Sequence, residues 1–191
     1  MFAEISDEFV ARIPPEKLDS DYESSVLDVT RRSLEGKLVD LTENDRVVSK
    51  CYVVRVTSAM PKGEGTIVHG DGAVYQTVEY RALAFEPRMQ EVLDGLVVSV
   101  QKFGAFVRIG PFDGLLHISQ IMDDRIDIDL GNQRFIGKDT KRDVRVGDKV
   151  RVRIVAMNLS SASVEESKIG LTMKQVGLGK LDWLKPKKIK Q

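Results

Sequence analysis

The chain has 191 residues, 42% of them hydrophobic and 30% charged, with a formal net charge of zero. That balance suits a folded globular protein able to bury a core and excludes a disordered polyelectrolyte. No run of about 18 uncharged apolar residues is available for a membrane span, so a cytoplasmic protein is expected. A single cysteine, Cys51, excludes an internal disulfide. With only His69 and His117 beside it, there is no Cys and His set at zinc spacing, and neither a metal nor a cofactor is expected.

The charge is unevenly divided. Met1 to Glu86 holds 16 acidic and 10 basic residues, and Pro87 to Gln191 holds 13 and 19, so the halves carry −6 and +6. A basic half facing a polyanion fits that asymmetry, although evenly solvated surfaces give the same sums.

Phe2 to Ile13 alternates apolar and polar residues and predicts a strand, ended by Pro14-Pro15, which suits the entrance to a helix. Ser20-Asp21-Tyr22-Glu23 has the pattern of a capping box. Leu18, Tyr22, Val26, Val29 and Leu34 recur near the 3.6 period, and Gly36 supplies a left-handed stop, which predicts one amphipathic helix over roughly 20–35. Val47 to Thr57 and Thr66 to Val68 read as strands. Gly70-Asp71-Gly72 reads as a tight turn before a long strand from Ala73 to Phe85. The N-terminal half is therefore strand, helix and three strands. The Gly-Asp-Gly segment is a hairpin turn or, on a sharper reading, an exposed tip that docks on a partner. It is no phosphate loop, since neither Lys-Ser nor Lys-Thr follows it.

The pattern restarts at Phe85-Glu86-Pro87, which places a domain boundary there. Strands are predicted at Leu96–Val100, Ala105–Ile109, Gly114–Ile118, Lys149–Met157 and Lys168–Met173, a count suited to a small closed barrel. Gly95 to Gly110 (Gly-Leu-Val-Val-Ser-Val-Gln-Lys-Phe-Gly-Ala-Phe-Val-Arg-Ile-Gly), Asp113 to Gln120, Val146 to Ile154 and Lys168 to Met173 together resemble the OB-fold RNA-binding repeat of ribosomal protein S-one. The resemblance implies that Phe103, Phe106 and His117 form a base-stacking face and that Lys102, Arg108, Arg151 and Lys168 line the path of the RNA backbone. Such a face needs an aromatic platform, a hydrogen-bonding imidazole and a cationic rim. The plain alternative for the two Phe residues is core packing, and for the cations a solvated surface. The chain departs from many relatives in carrying Asn158 where they have a carboxylate, and in a long hairpin from Leu159 to Ser167. Both bear on base preference.

Arg12-Ile-Pro-Pro, Gly70-Asp-Gly-Ala-Val-Tyr, Ser119-Gln-Ile-Met-Asp-Asp, Ile136-Gly-Lys and Gly170 to Leu181 are similar to the family of archaeal RNA polymerase stalk subunits called E-prime. That family is the counterpart of the seventh subunit of eukaryotic nuclear polymerase. The resemblance implies an α+β N-terminal domain over 1–86, a truncated RNP-like antiparallel sheet with one helix, followed by an all-β five-stranded OB-fold barrel over 87–184. It implies a non-catalytic component that forms a heterodimer with the polymerase's F subunit and docks on the polymerase core near the clamp through Gly70, Asp71 and Gly72. The barrel then faces single-stranded nascent RNA, in support of open-complex formation, processivity and termination. A basic tail, 185–191, falls outside the resemblance. A free-standing factor of translation or RNA decay is the alternative, against which the order of the domains speaks. An enzyme is disfavoured by the lack of a Ser-His-Asp or Cys-His arrangement. Asp123, Asp124, Asp127 and Asp129 cluster in an insertion, 121–139, that reads as solvated loop and strand.

Overall fold

A computed structural model describes residues 1–18, 21–43, 46–160, 164 and 166–184. They divide into two compact units, Met1–Pro87 and Arg88–Gln191. Among them no helix is long and apolar enough to cross a membrane.

The first unit opens with β1 (Phe2–Ile13), whose odd-numbered residues turn inward while its even-numbered ones are exposed. This is the period of two that the sequence carries. Pro15–Lys17 form a single 3-10 turn, and α1 follows over Tyr22–Leu34. Asp21 stands at the N-cap with no side-chain cap bond; the expected capping residue, Ser20, lies outside the described residues. The helix buries Ser25, Val26, Val29, Thr30 and Leu34, one stripe at the 3.6 period. Val26 and Val29 pack with Ala11, Ile13 and Val78, and Leu34 packs with Val53, Val56, Tyr80 and Ala82. Gly36, at φ +80°, ends the helix as expected, and its N–H bonds to Val53 O at 2.9 Å.

That bond turns the chain into β2 (Leu38–Glu43), which pairs with β3 (Arg46–Pro61). The sequence reading missed β2. It is an edge strand bonded on one side only, and Leu-Val-Asp-Leu-Thr-Glu carries little of the β-branched enrichment that marks a strand. Then come β4 (Thr66–Ile67) and β5 (Val74–Phe85). The sheet runs β1-β5-β3-β2, with β4 also on β5, and every pairing is antiparallel. This is the expected α+β arrangement with one strand more.

The second unit contains β6 (Val92–Gln101), β7 (Gly104–Ile109) and β8 (Phe112–His117), then a 3-10 turn over 118–120. The insertion supplies β9 (Ile126–Asp129) and β10 (Arg134–Gly137), which with β11 (Asp143–Arg145), just after it, form a separate three-stranded sheet. The four aspartates of the insertion are exposed or half-buried, as a solvated loop and strand implies, while Phe135 within it is fully buried. The chain continues as β12 (Lys149–Asn158), β13 (Lys168–Thr172), β14 (Gly179–Lys180) and α2 (Leu181–Leu184).

The order β13-β8-β7-β6-β12, with β12 also paired to β13, closes a five-stranded barrel, and only β13 and β8 run parallel. Inward residues include Val97, Ala105, Val107, Ile109, Leu116, Val152, Ile154 and Leu171, all 1% exposed or less. Each of the larger of these side chains contributes about 1.5–3 kcal/mol of burial. Lys180 bonds Asp148 at 2.8 Å and lies 3.7 Å from Asp143, which ties the last strand to the turn before β12.

Candidate nucleic-acid interface

The β6–β7 hairpin carries Lys102 and Phe103 in its turn, and Gly104 starts the return strand. Gly104 is required sterically: a Cβ there would lie 2.3 Å from Leu116 O and 3.0 Å from His117 Cα. This close approach sets the turn directly over the end of β8. Ile118 N donates to Phe103 O at 3.0 Å, which fastens the turn to the residue after His117.

Phe103 is 49% exposed and Phe106 half-buried, so neither belongs to the barrel core. Their rings meet edge to face, with centroids 6.1 Å apart at 88°. His117 lies across from Gly104 on β8 and is exposed. Its Nδ1 is 2.8 Å from Ser119 Oγ and accepts from Ser119 N at 3.3 Å, so the ring caps the following 3-10 turn and is held in one orientation.

Phe106 also forms one wall of a groove of about 810 Å³ over β7, β8, β13 and the end of β12. Leu115, Ala156, Ile169 and Gly170 line it, with Asp113, Asn158, Ser167 and Lys168 as its polar members. Leu115, Ala156 and Gly170 escaped the sequence reading. Leu115 is the register partner of Phe106, and Gly170 that of Leu115 and Ala156, so only the closed-barrel register brings them together.

The four cations divide into two kinds. Arg108 Nε and Nη2 donate to the two carboxylate oxygens of Asp113 at 2.9 and 3.1 Å. Arg151 does the same to Asp94 at 2.7 and 3.0 Å. Both guanidinium pKa values are raised by these hydrogen bonds, and that of Asp94 is lowered by its bond from Arg151. Such bidentate pairs satisfy most of the fork that would otherwise grip phosphate. Arg151 sits where β12 lies between β6 and β14, away from the groove's lining. Lys102 and Lys168 are exposed and have no ion-pair partner among the described residues. Phe103, Phe106 and His117 thus lie at or near the β6–β7 turn, Lys168 shares the groove with Phe106, Arg108 is held by the groove-lining Asp113, and Arg151 is engaged away from the groove.

In the first unit, Gly70 and Gly72 have φ of +92° and +67°, and they flank the turn that joins β4 to β5. Asp71 faces back into its own unit. Arg12 Nε and Nη2 donate to it at 2.9 and 2.5 Å, and Tyr75 Oη donates at 2.8 Å. These bonds, Arg12 first and Tyr75 second, lower the Asp71 carboxyl to about 2. Because the folded value lies below the ordinary value of about 4, the tether is at full strength above that pH and is lost as pH falls through about 2. The carboxyl carbon of Asp71 should therefore titrate by NMR with a midpoint near 2, and Arg12→Ala should move it towards about 4. A wild-type midpoint of about 4 would mean the tether is open in solution. Ile67 and Val68, beside this turn, are 66% and 47% exposed.

The acidic cluster of the insertion is consumed internally. Asp123 pairs with Lys174 at 2.6 Å and Asp127 with Lys138 at 2.9 Å, while Asp129 bonds Asn132 and Arg134. Asp124 accepts from the Thr140 hydroxyl at 2.7 Å and from the N–H groups of Thr140 and Asp139, which hold its carboxyl well below the usual range. Among the described residues no three of His, Cys, Asp and Glu converge on a point where a metal ion would sit.

Comparison with known proteins agrees with the barrel and extends beyond it. The S1 RNA binding domain family matches residues 86–167. Ribonuclease R of Vibrio cholerae is 36% identical over 92 residues, 47% of this chain and 11% of its own. Other relatives run nearly end to end. The DNA-directed RNA polymerase subunit Rpo7 of Sulfolobus acidocaldarius is 36% identical over 184 residues, 96% of this chain and 95% of its own. That of Saccharolobus shibatae is 35% identical over 185 residues, with 96% and 97% covered. Similarity that spans both units, and not the barrel alone, places this chain in the family of DNA-directed RNA polymerase subunit Rpo7, an accessory subunit that is not itself catalytic.

Proposed function

We infer that this protein acts in the cytoplasm as the stalk of an archaeal-type RNA polymerase: it pairs with the polymerase's F subunit, docks on the core beside the clamp and holds the emerging transcript on its barrel. In that position it supports open-complex formation, processivity and termination. The observation that carries the RNA-binding part is the edge-to-face pair of Phe103 and Phe106, left out of the core at the mouth of an apolar groove. An aromatic platform of this kind stacks unpaired bases and contributes about 1–3 kcal/mol per base. Docking is assigned to the turn at Gly70, Asp71 and Gly72. Its support is the inward tether of Asp71, which keeps the short β4–β5 hairpin in one shape and leaves Ile67 and Val68 outside.

The test is to tag the chain in its native cells, purify it at moderate salt and identify by mass spectrometry what stays bound. The small F subunit together with the large polymerase subunits is the expected result. Ribosomal or RNA-decay proteins without polymerase would overturn the stalk reading and leave the barrel's role intact. Gly72→Leu, which forces a side chain into positive φ at the tip, should reduce recovery of the core subunits and leave RNA affinity unchanged.

A further inference from the structure

Resting on the RNA-binding reading, the far end of the groove carries a second kind of information. Asn158 on β12 and Lys168 on β13 are register partners across the barrel's closing seam. Directly opposed residues on one face have Cβ atoms about 4.5–5.5 Å apart, so the two polar heads reach the same small volume. Both line the groove, both are exposed, and neither has a side-chain partner among the described residues.

A carboxamide offers one acceptor and one donating amine, and an ammonium offers donors only. The amide oxygen is drawn to the side of the ammonium, which fixes the sequence of groups as donor from Lys168, acceptor from Asn158, donor from Asn158. Uracil presents the complement along its pairing edge: O4 accepts, N3–H donates and O2 accepts. Cytosine presents a donor and then two acceptors, which would need the Asn158 amine turned against the ammonium. Adenine gives N1 to Lys168 and N6–H to the Asn158 oxygen but leaves the Asn158 amine without an acceptor on that edge, and guanine sets its exocyclic amine against that of Asn158. We propose that Asn158 and Lys168 form a uracil-selecting site at the end of the groove, with Phe106 and Leu115 as its apolar wall.

The experiment is fluorescence anisotropy on the full chain with single-stranded oligoribonucleotides of about ten residues, within the usual length held by one OB fold. Oligo(U) should bind at least about fivefold tighter than oligo(C) or oligo(A), the low end of discrimination by paired side-chain contacts. Asn158→Asp supplies two acceptors beside the ammonium, which is the complement of guanine's oxygen and two N–H groups. This variant should keep the wild-type melting temperature, lose its oligo(U) preference and bind an alternating oligo(UG) better than oligo(U). Equal affinity of the wild type for oligo(U), oligo(C) and oligo(A), or an oligo(U) preference that survives Asn158→Asp, overturns the site alone. Failure to bind any of these oligonucleotides overturns the RNA-binding reading with it.

Discussion

Replacing Phe103, Phe106 and His117 together with alanine should weaken single-stranded RNA binding by at least about 30-fold, while the barrel's melting temperature falls only slightly. Two stacking rings at the lower limit of about 1 kcal/mol each give about 2 kcal/mol, and every 1.4 kcal/mol is tenfold. The small stability cost follows from burial. Phe103 is half exposed and His117 exposed, and the aromatic pair itself contributes about 0.5–1.5 kcal/mol. The salt dependence separates this account from an electrostatic one. With Arg108 and Arg151 each bound to an aspartate and Lys168 given to the base edge, Lys102 is the cation left for phosphate. At a slope of about −0.7 per phosphate contact for single strands, log affinity against log salt should fall with a slope of about −0.7, against about −2.8 if all four cations engaged phosphate. The triple variant should shift that line without tilting it. Unchanged affinity in the variant would move the RNA site elsewhere on the barrel, and a steep wild-type slope would mean that the arginines leave their aspartates for the RNA.

Gly104→Val should cost the barrel at least about 3 kcal/mol, among the larger effects open to a single substitution. The added Cβ meets the Leu116 carbonyl oxygen at 2.3 Å, and that atom is backbone in the neighbouring strand with no rotamer to turn aside. Relief requires β7 and β8 to part at the point where the β6–β7 turn closes over them. For a unit of about a hundred residues each kcal/mol is about 4–8 °C, so the midpoint should drop by about 12 °C or more. Trp183, the one tryptophan of the sequence, lies on α2 of the same unit beneath Arg142 and reports this loss by fluorescence. Gly177→Ala is the control. It carries a positive φ of 84° with nothing within 4 Å of the new Cβ, so it incurs only left-handed strain of about 1–2 kcal/mol. Equal midpoints for the two variants would show that β7 and β8 have room for a side chain at Gly104.

The barrel's strands were legible because glycine-bounded alternation states both where a strand stops and which side faces in. Their ends were less so. The strand predicted from Leu96 begins at Val92, since Asp94 sits mid-strand pointing outward to Arg151 and reads locally as loop. In the insertion, Ile126-Asp-Ile-Asp and Arg134-Phe-Ile-Gly carry the strand period plainly, but four aspartates in seven residues draw attention to charge before pattern. The resemblance to the S-one repeat is what points to Phe103, Phe106 and His117, since residue type alone leaves core packing open for both rings. Pairing of the arginines could not be read from the sequence. Asp113 neutralises Arg108 across a hairpin whose register must be known, and Asp94 lies 57 residues before Arg151 on a strand that meets it only when β12 pairs with β6. Asp71 is a similar case, because its partner Arg12 stands on a strand from the other end of the unit.

The closing seam of the barrel also bears on biosynthesis. β8 pairs with β13, and β13 pairs with β12, so the ring stays open until Lys168–Thr172 has cleared the ribosome. Until then β8 and β12 each present an unpaired edge, the exposure through which nascent chains associate wrongly. The first unit has its whole sheet once Phe85 is made and can fold while the barrel is still being translated. A premature stop between β12 and β13 would therefore yield a chain with a sound first unit and an adhesive second one, the kind of product that quality-control proteases must remove.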